Sequence, residues 1–471
     1  MNTATTAGRE RYRVIVFGSN GSRVLLVANG AHFTFPEVEI PALERVAENL
    51  TAAVKRDWGQ EIVCLYSPEP GCCTSEPSNV GYMVSAAVNE EVALQGLAWA
   101  PVSSLTPRSL ACDHDCHVLR TVLNRCRSER SESGHSSFEN LDWFTELVKW
   151  IQGVIKPLGL RLTGAFRQLN AAPTFSLIRF ETTSIAVWFK AVGPPKAREF
   201  QISQQLARLF PQFVPKILAV RPEWNAWLMW EAEGTHPGES SDLPIWRMVA
   251  ERLAELQIAS IGNTLHLLDL GCHDVRPERL LDEIDPFLET VALLMEQQEK
   301  ETPSPLSKKE LFELGAQLRD SLQRTADYQM PHVLGHIDFN PGNVLAHKDR
   351  CCVFLDWAEA CVGLPFLSIQ YLIEHLRRLR PGVKVWEHQL LSAYAEKWRR
   401  YAQPDLIAEH LRAAPLLAAF AYAVAGDAWR ERSPVAKPQT ARRLRSLARR
   451  MKREADSLRR SPSDRGVSCT S

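Results

Sequence analysis

The period of the apolar residues changes once along the later part of this chain, and that change limits the folds open to it. Between residues 141 and 234 the runs FSLIRFE, SIAVWFKAV and NAWLMWE read as strands, the first two alternating in twos as half-buried strands do. One helical pattern, AREFQISQQLARLF, interrupts them. From about Asp242 onward the spacing turns to threes and fours. PIWRMVAERLAEL sets Ile245, Val249, Leu253 and Leu256 on one face, and ELFELGAQLRDSL does the same with Leu311, Leu314, Leu318 and Leu322. Strands with one helix, then a long helical body, predict an α+β chain: a small sheet lobe on a larger helical lobe, with a cleft between them.

At 471 residues the chain is long enough for two or three domains. Ahead of the lobes, RYRVIVF and SRVLLVA joined by GSNG read as a hairpin. ERVAENLTAAVKRDWG reads as a helix through Val46, Leu50 and Val54, with Gly59 suited to its C-cap, and EIVCLY and GYMVSAAV as further strands. This is a small α/β domain. RSERSESGHSSFEN, from Arg127 to Asn140, has almost no apolar residue and reads as a linker, and EQQEKETPSPLSKKE, from Glu296 to Glu310, as a loop between helices. The expected organisation is a domain at 1–126, a linker at 127–140, a sheet lobe at 141–234, a helical lobe at 235–460 and a disordered tail at 461–471.

Lys plus Arg balance Asp plus Glu at 55 each, which argues against a nucleic-acid or membrane-surface binder. The most apolar C-terminal run, APLLAAFAYAVAGDAW, falls short of the ~20 apolar residues of a membrane span. MNTATTAGRERYRV enters a strand pattern without the apolar stretch of a secretory signal, and the 11 cysteines form no disulfide framework, so a reduced, cytoplasmic setting is expected. ACDHDCH holds Cys112, His114, Cys116 and His117, with Cys126 beyond. It lacks paired CxxC knuckles and a second ligand pair, and reads as a helix with incidental thiols rather than a zinc site.

The chemistry-bearing stretch is GHIDFNPGNVL, residues 335–345, followed by CCVFLDWAEA. Its spacing is H-x-D-x-x-x-x-N, with Pro341-Gly342 making a turn that can aim a carboxylate and an amide oxygen into one small volume. CVFLDW reads as a short buried strand that delivers Asp356 at its end. Oxygen ligands from Asn343 and Asp356 suit Mg²⁺, which takes few protein ligands and shares its shell with phosphates. Asp338 is then left to accept a proton from a substrate hydroxyl, the division of labour of phosphoryl transfer.

GHIDFNPGNVL with FLDWAEACVGLPF resembles the catalytic core of the aminoglycoside phosphotransferase and choline kinase-like family, over roughly the last two thirds of the chain. The resemblance implies a bilobal protein-kinase-like fold, ATP and Mg²⁺ as co-substrate and cofactor, Asp338 as catalytic base, Asn343 and Asp356 as Mg²⁺ ligands, and His336 as a brace of the loop. It also implies a strand lysine, supplied as Lys190 by SIAVWFK, and a helical acid to hold it, supplied as Glu199 by AREFQISQQL. A partly exposed pair of this kind contributes about 0–1 kcal/mol, so its work would be positional. WLMWEAEG fits the segment whose backbone faces adenine, at Trp230, Glu231 and Ala232 and on to Gly234. Trp188 points the same way as Lys190 and is predicted to roof the nucleotide pocket. The phosphate-covering turn departs from the family pattern: QLNAAPTFSLIRF offers Asn170 and small alanines but no glycine. Glu359 reads as decoration of a first helical turn.

FTFPEVEIPALERVAENLTAAVKRDWGQEIVCL resembles the Nudix hydrolases, whose helix carries R-E-hydrophobic-x-E-E-x-G. Aligned on Gly59, the arginine and first glutamate fall on Ala52 and Ala53, one metal glutamate falls on Arg56, and Asp57 alone keeps a carboxylate. The resemblance implies a degenerate Nudix-like domain without hydrolase activity.

ARRLRSLARRMKREADSLRR carries Leu444, Leu447, Met451 and Leu458 near one stripe. It is expected to pack that stripe on the helical lobe rather than to bind nucleic acid or lipid. No activation segment ending in A-P-E follows Asp356, and the chain runs instead to GLPFLSIQYL, so the acceptor is expected to be a small hydroxylated molecule. The helical region from Trp386 to Trp429 is expected to shape its pocket. The expected activity is ATP-dependent transfer of a γ-phosphoryl group. A nucleotide-binding regulatory module without turnover and a Nudix-type hydrolase acting through the front domain are the alternatives. No membrane partner is expected, and oligomeric state is left open.

Overall fold

In the computed structural model of the chain, residues 8–459 are described, except 19–20, 31, 43–44, 69–79, 90–95, 107–108, 129–137, 139, 241, 329, 348, 350, 383, 427–428 and 431–437. The chain divides into two compact units, Met1–Phe200 with Lys216–Glu231, and Gln201–Pro215 with Ala232–Ser471.

The first unit holds two sheets. In the seven-stranded sheet, Arg9–Phe17 runs parallel to Val80–Ala87 and antiparallel to Arg23–Asn29 and Glu37–Pro41. The helix Val46–Trp58 buries Ala47, Leu50, Ala53 and Val54. It ends at Gly59, whose φ of 64° favours glycine and whose N–H bonds the Lys55 carbonyl. The second sheet has five antiparallel strands in the order Ile217–Arg221, Ala226–Trp230, Val187–Ala191, Phe175–Thr182, Leu162–Ala172. The helix Trp143–Ile155 covers one face of it, stacking Phe144 on Phe180 and setting Trp143 beside Phe189.

The two sheets contribute to one continuous core. Ile15, Phe17, Val63 and Leu65 belong to the same buried cluster as Ile178, Phe189 and Leu228. A single side chain acts as a strand between them: buried Gln168 accepts from the Cys64 N–H at 2.8 Å and donates to the Cys64 carbonyl at 2.9 Å. Both sides of the 127–140 stretch therefore lie in one unit. Most of the predicted linker, 129–137 and 139, lies outside the described residues, but Phe138 is buried against Trp143, Phe189 and Trp224. Asp115 of the ACDHDCH stretch is likewise buried, accepting from Arg13 at 2.8 Å and from the Tyr82 hydroxyl at 2.6 Å. Among the described residues no group of three or more His, Cys, Asp and Glu side chains could hold a metal ion.

The second unit is helical, as the change of period predicts. Its core takes in Val249, Leu253, Leu256, Leu311, Leu314, Leu318 and Leu322, with Ile245 at the margin. The 296–310 loop ends in a capping box between Ser307 and Glu310. The basic helix Pro438–Arg459 buries Ala441, Leu444, Ala448, Met451 and Ala455, with Leu447 and Leu458 packed at the edge. Arg449 donates to the Pro303 and Ser304 carbonyls, Arg450 pairs with Glu374 and Arg459 with Glu313, so much of the helix's charge is committed to packing. Residues 461–471 lie outside the described residues. No described helix is long and apolar enough to cross a membrane. Two small sheets complete the unit: Ala360–Gly363 between His273–Val275 and Val333–His336, and the hairpin Val344–Ala346 with Cys352–Phe354.

Candidate active site

The strand Val333–His336 ends two residues before Asp338, and the turn Pro341–Asn343 and the hairpin after it return the chain to Asp356. Asn340 caps the turn, accepting from the Gly342 N–H at 2.8 Å and donating to the Asp338 carboxylate at 3.1 Å. The Asn343 amide nitrogen donates to the Asp338 carbonyl at 2.9 Å and to its carboxylate at 3.4 Å. Two neighbouring amides thus orient Asp338.

One backbone unit ties this loop to the second acid. The Leu355 N–H bonds the Asn343 carbonyl at 2.8 Å, and the Leu355 carbonyl accepts from His336 Nε2 at 3.1 Å. His336 is fully buried, and burial pushes its pKa down, which keeps the ring a neutral brace. Asp356 follows with φ 59° and ψ 65°. Asn225 is the other non-glycine residue with positive φ among those described. A left-handed conformation costs an ordinary residue about 1–2 kcal/mol, and such strain clusters at functional sites.

The pair expected to hold Mg²⁺ fits that ion by chemistry. With its amide nitrogen engaged at Asp338, Asn343 has its side-chain oxygen to offer. An amide oxygen and a carboxylate are the few hard ligands Mg²⁺ takes when phosphates and water complete its shell.

In the first unit, Lys190 lies on the central strand Val187–Ala191 and pairs with Glu199 near the start of the helix Arg198–Leu209. The structure corrects the expectation of a partly exposed pair: the two side chains are only 7% and 2% exposed. The ammonium also lies 5.7 Å from the ring centre of Trp227 and 5.9 Å from that of Phe175. Neither ring was singled out from the sequence, because an aromatic on a strand reads equally well as plain core.

Trp188 is half-buried, and its indole N–H meets the Glu231 carboxylate at 3.4 Å. Arg179 donates to the same carboxylate at 2.9 Å and, with that hydrogen bond as the main cause, holds it below the usual range. The N–H groups of Trp230 and Glu231 are taken by the carbonyls of Lys216 and Ala186. A purine contact at those two residues would therefore fall on carbonyl oxygens. Ala232 begins the helical unit's later segment. There Gly234, at φ 131°, lies so close to Ala346 that an added Cβ would sit 2.9 Å from its backbone, while Thr235 and Ala346 exchange two backbone hydrogen bonds at 3.0 Å. Only glycine fits that crossing.

The turn expected to cover phosphates is a tight hairpin, with Ala172 paired to Phe175 across Pro173 and Thr174. The Pro173 carbonyl accepts from the Phe138 N–H at 3.1 Å. The missing glycine corresponds to a short two-residue connection, and Asn170 is exposed beside it.

Residues 191–404 match the phosphotransferase enzyme family. No curated protein matches the chain. Among solved structures, a macrolide 2′-phosphotransferase of Brachybacterium faecium is 17% identical, covering 64% of this chain and 98% of its own, at a TM-score of 0.43. A choline kinase of Cryptosporidium parvum is 12% identical, covering 68% and 99%, at 0.44. A choline kinase of Streptococcus pneumoniae is 14% identical, covering 65% and 99%, at 0.43. The family match begins at residue 191 and gives no support to the Nudix likeness of residues 1–126.

Proposed function

We propose that the protein is an ATP-dependent kinase of a small hydroxylated molecule. Asp338 orients the acceptor hydroxyl and takes its proton. Lys190, positioned by Glu199, neutralises charge on the nucleotide phosphates, and the backbone around Trp230, Glu231 and Ala232, with Trp188 nearby, receives the base. Asn343 and Asp356 hold Mg²⁺, which would supply charge neutralisation at the transferring group. There is little covalent work for the chain to do, and positioning and electrostatics carry the rate.

The observation that best supports this reading is the wiring of the Asp338 loop. Asn343 orients Asp338 through its amide nitrogen and reaches the residue before Asp356 through its carbonyl. A merely structural turn has no need to fix a base and two metal-type oxygens to one another. In the front domain, the one carboxylate that survives from the Nudix pattern, Asp57, is hydrogen-bonded to Arg56 at 2.6 and 2.8 Å, which favours a domain that does not hydrolyse diphosphates.

An ATP-consumption screen over hydroxylated metabolites tests the proposal, with Asp338→Asn as control. Loss of a general base lowers kcat by about 10²–10⁴-fold, and undiminished turnover in the variant would remove Asp338 from the role. A nucleotide that binds without any turnover would favour the regulatory alternative.

A further inference from the structure

The helical unit contains a cavity of about 570 Å³ lined by Leu376, Arg377, Arg380, Lys384, Glu387 and His388, among others. It opens between the end of the helix Phe366–Leu379 and the start of the helix Lys384–Trp398. Two observations place it near the Asp338 loop. An added Cβ at Gly238 would lie 3.4 Å from Pro341 Cβ and 3.5 Å from Leu379 Cδ1, so that glycine lies between the Pro341 turn and the last residue of the helix Phe366–Leu379. Arg380 donates to the Ser240 carbonyl at 2.8 Å, just beyond the turn that carries Gly238.

Cations outnumber carboxylates in the lining of this cavity, with Arg377, Arg380 and Lys384 against Glu387. Its single lining carboxylate, Glu387, is held by Arg377 through two hydrogen bonds. Glu374, on the same helix as Arg377, is taken by Arg378 and Arg450. Among the described residues no carboxylate pairs with Arg380 or Lys384. Arg380 is braced by the Trp386 ring at 5.3 Å and by Ser240, with further N–H groups of its fork to offer, and Lys384 is exposed at the rim. Glu454 also acts on Arg377, so the carboxylates here gather at Arg377, and Arg380 and Lys384 are the cations left to meet an acceptor.

We propose, resting on the kinase reading above, that the acceptor carries an anionic group, a carboxylate or a phosphate, which Arg380 and Lys384 hold while its hydroxyl is presented to Asp338. Arg380 offers a planar donor fork that matches either oxyanion, and Lys384 adds a point charge.

The test separates the cavity from the kinase reading. Titration calorimetry of the full chain without nucleotide, using sn-glycerol 3-phosphate, D-glycerate and the amine serinol as probes, interrogates the cavity alone. The expected result is binding of at least one anion and none of serinol, with Arg380→Met and Lys384→Met each weakening the anion about tenfold. Whichever anion binds tells phosphate from carboxylate. Lys384→Met changes an exposed side chain and serves where Arg380→Met disturbs folding. Serinol binding as tightly as the anions, no anion binding, or affinity unmoved in both variants overturns the proposal. A thermal shift with ATP and Mg²⁺ reports separately on the kinase reading. Its absence alongside anion binding would sink that reading and would overturn the acceptor role given to the cavity.

Discussion

Replacing Lys190 by methionine removes one charge from a pair whose side chains are 7% and 2% exposed. Glu199, 2% exposed, then keeps its carboxylate without that ammonium, whose place lies by the Phe175 and Trp227 rings. Breaking a buried pair from one side costs about 3–5 kcal/mol, because desolvation of the remaining charge is no longer offset. Replacing both partners by apolar residues removes both desolvation terms, and such exchanges range from neutral to about 1–4 kcal/mol stabilising. Lys190→Met should therefore lower stability strongly, and Lys190→Met with Glu199→Leu should restore most of it. Urea unfolding followed by tryptophan fluorescence measures this. With a slope of about 1–3 kcal/mol per molar urea, the single variant should move the midpoint of its transition by about 1–3 M, and the double variant by much less. Nucleotide binding provides the second readout and should be weak in both variants, since neither has the ammonium. A single variant within about 1 kcal/mol of the parent would refute the reasoning, since that is the behaviour of a solvated surface pair.

Three further outcomes follow from the same geometry. At Asp356, whose φ is 59°, asparagine tolerates the left-handed backbone and alanine does not. Asp356→Asn and Asp356→Ala should both lose phosphoryl transfer, with the alanine variant about 1–2 kcal/mol less stable than the asparagine one by urea unfolding. His410 is buried against Phe366 and Tyr328, and burial pushes its pKa down to about 4, so between pH 6.5 and pH 4 the unfolded chain binds a proton that the folded chain refuses. Stability should fall as pH drops through that window, by up to about 3 kcal/mol from this group, and His410→Phe should flatten that part of the stability–pH curve. Gln168→Leu leaves the buried N–H and carbonyl of Cys64 without their partner, at about 1–3 kcal/mol for each, and should speed amide exchange in the strand Ile62–Tyr66.

The sequence disclosed what depends on neighbours along the chain. The helix ending at Gly59, the strands that alternate, the helical faces of Leu253 and Leu318, and the turn at Pro341-Gly342 are all set by local period and turn chemistry. The pairing of Lys190 with Glu199 was legible for the same reason, because nine residues connect them. Its burial was not, since the rings over the ammonium come from Phe175 and Trp227, on strands 15 and 37 residues away. His336 could be read as a brace, but its partner, the Leu355 carbonyl, is a backbone atom that no residue type announces.

The same distinction explains the relation between the front domain and the small sheet. Composition marks 127–140 as polar, and polarity is a statement about solvent, not about where a fold comes apart. Within that stretch Phe138 is buried against Phe189 and Trp224, while Gln168 completes the hydrogen bonding of Cys64 from the far sheet. A glutamine on a strand is ordinarily a solvated residue, and here it supplies one donor and one acceptor to an otherwise unpaired backbone unit. Burial of an amide without such a partner is unfavourable, so the edge at Cys64 and the strand Leu162–Ala172 stabilise one another. The front domain is therefore part of the structure that fixes the strand leading into the Pro173-Thr174 turn, and removing it would leave the buried faces of both sheets without their shared core.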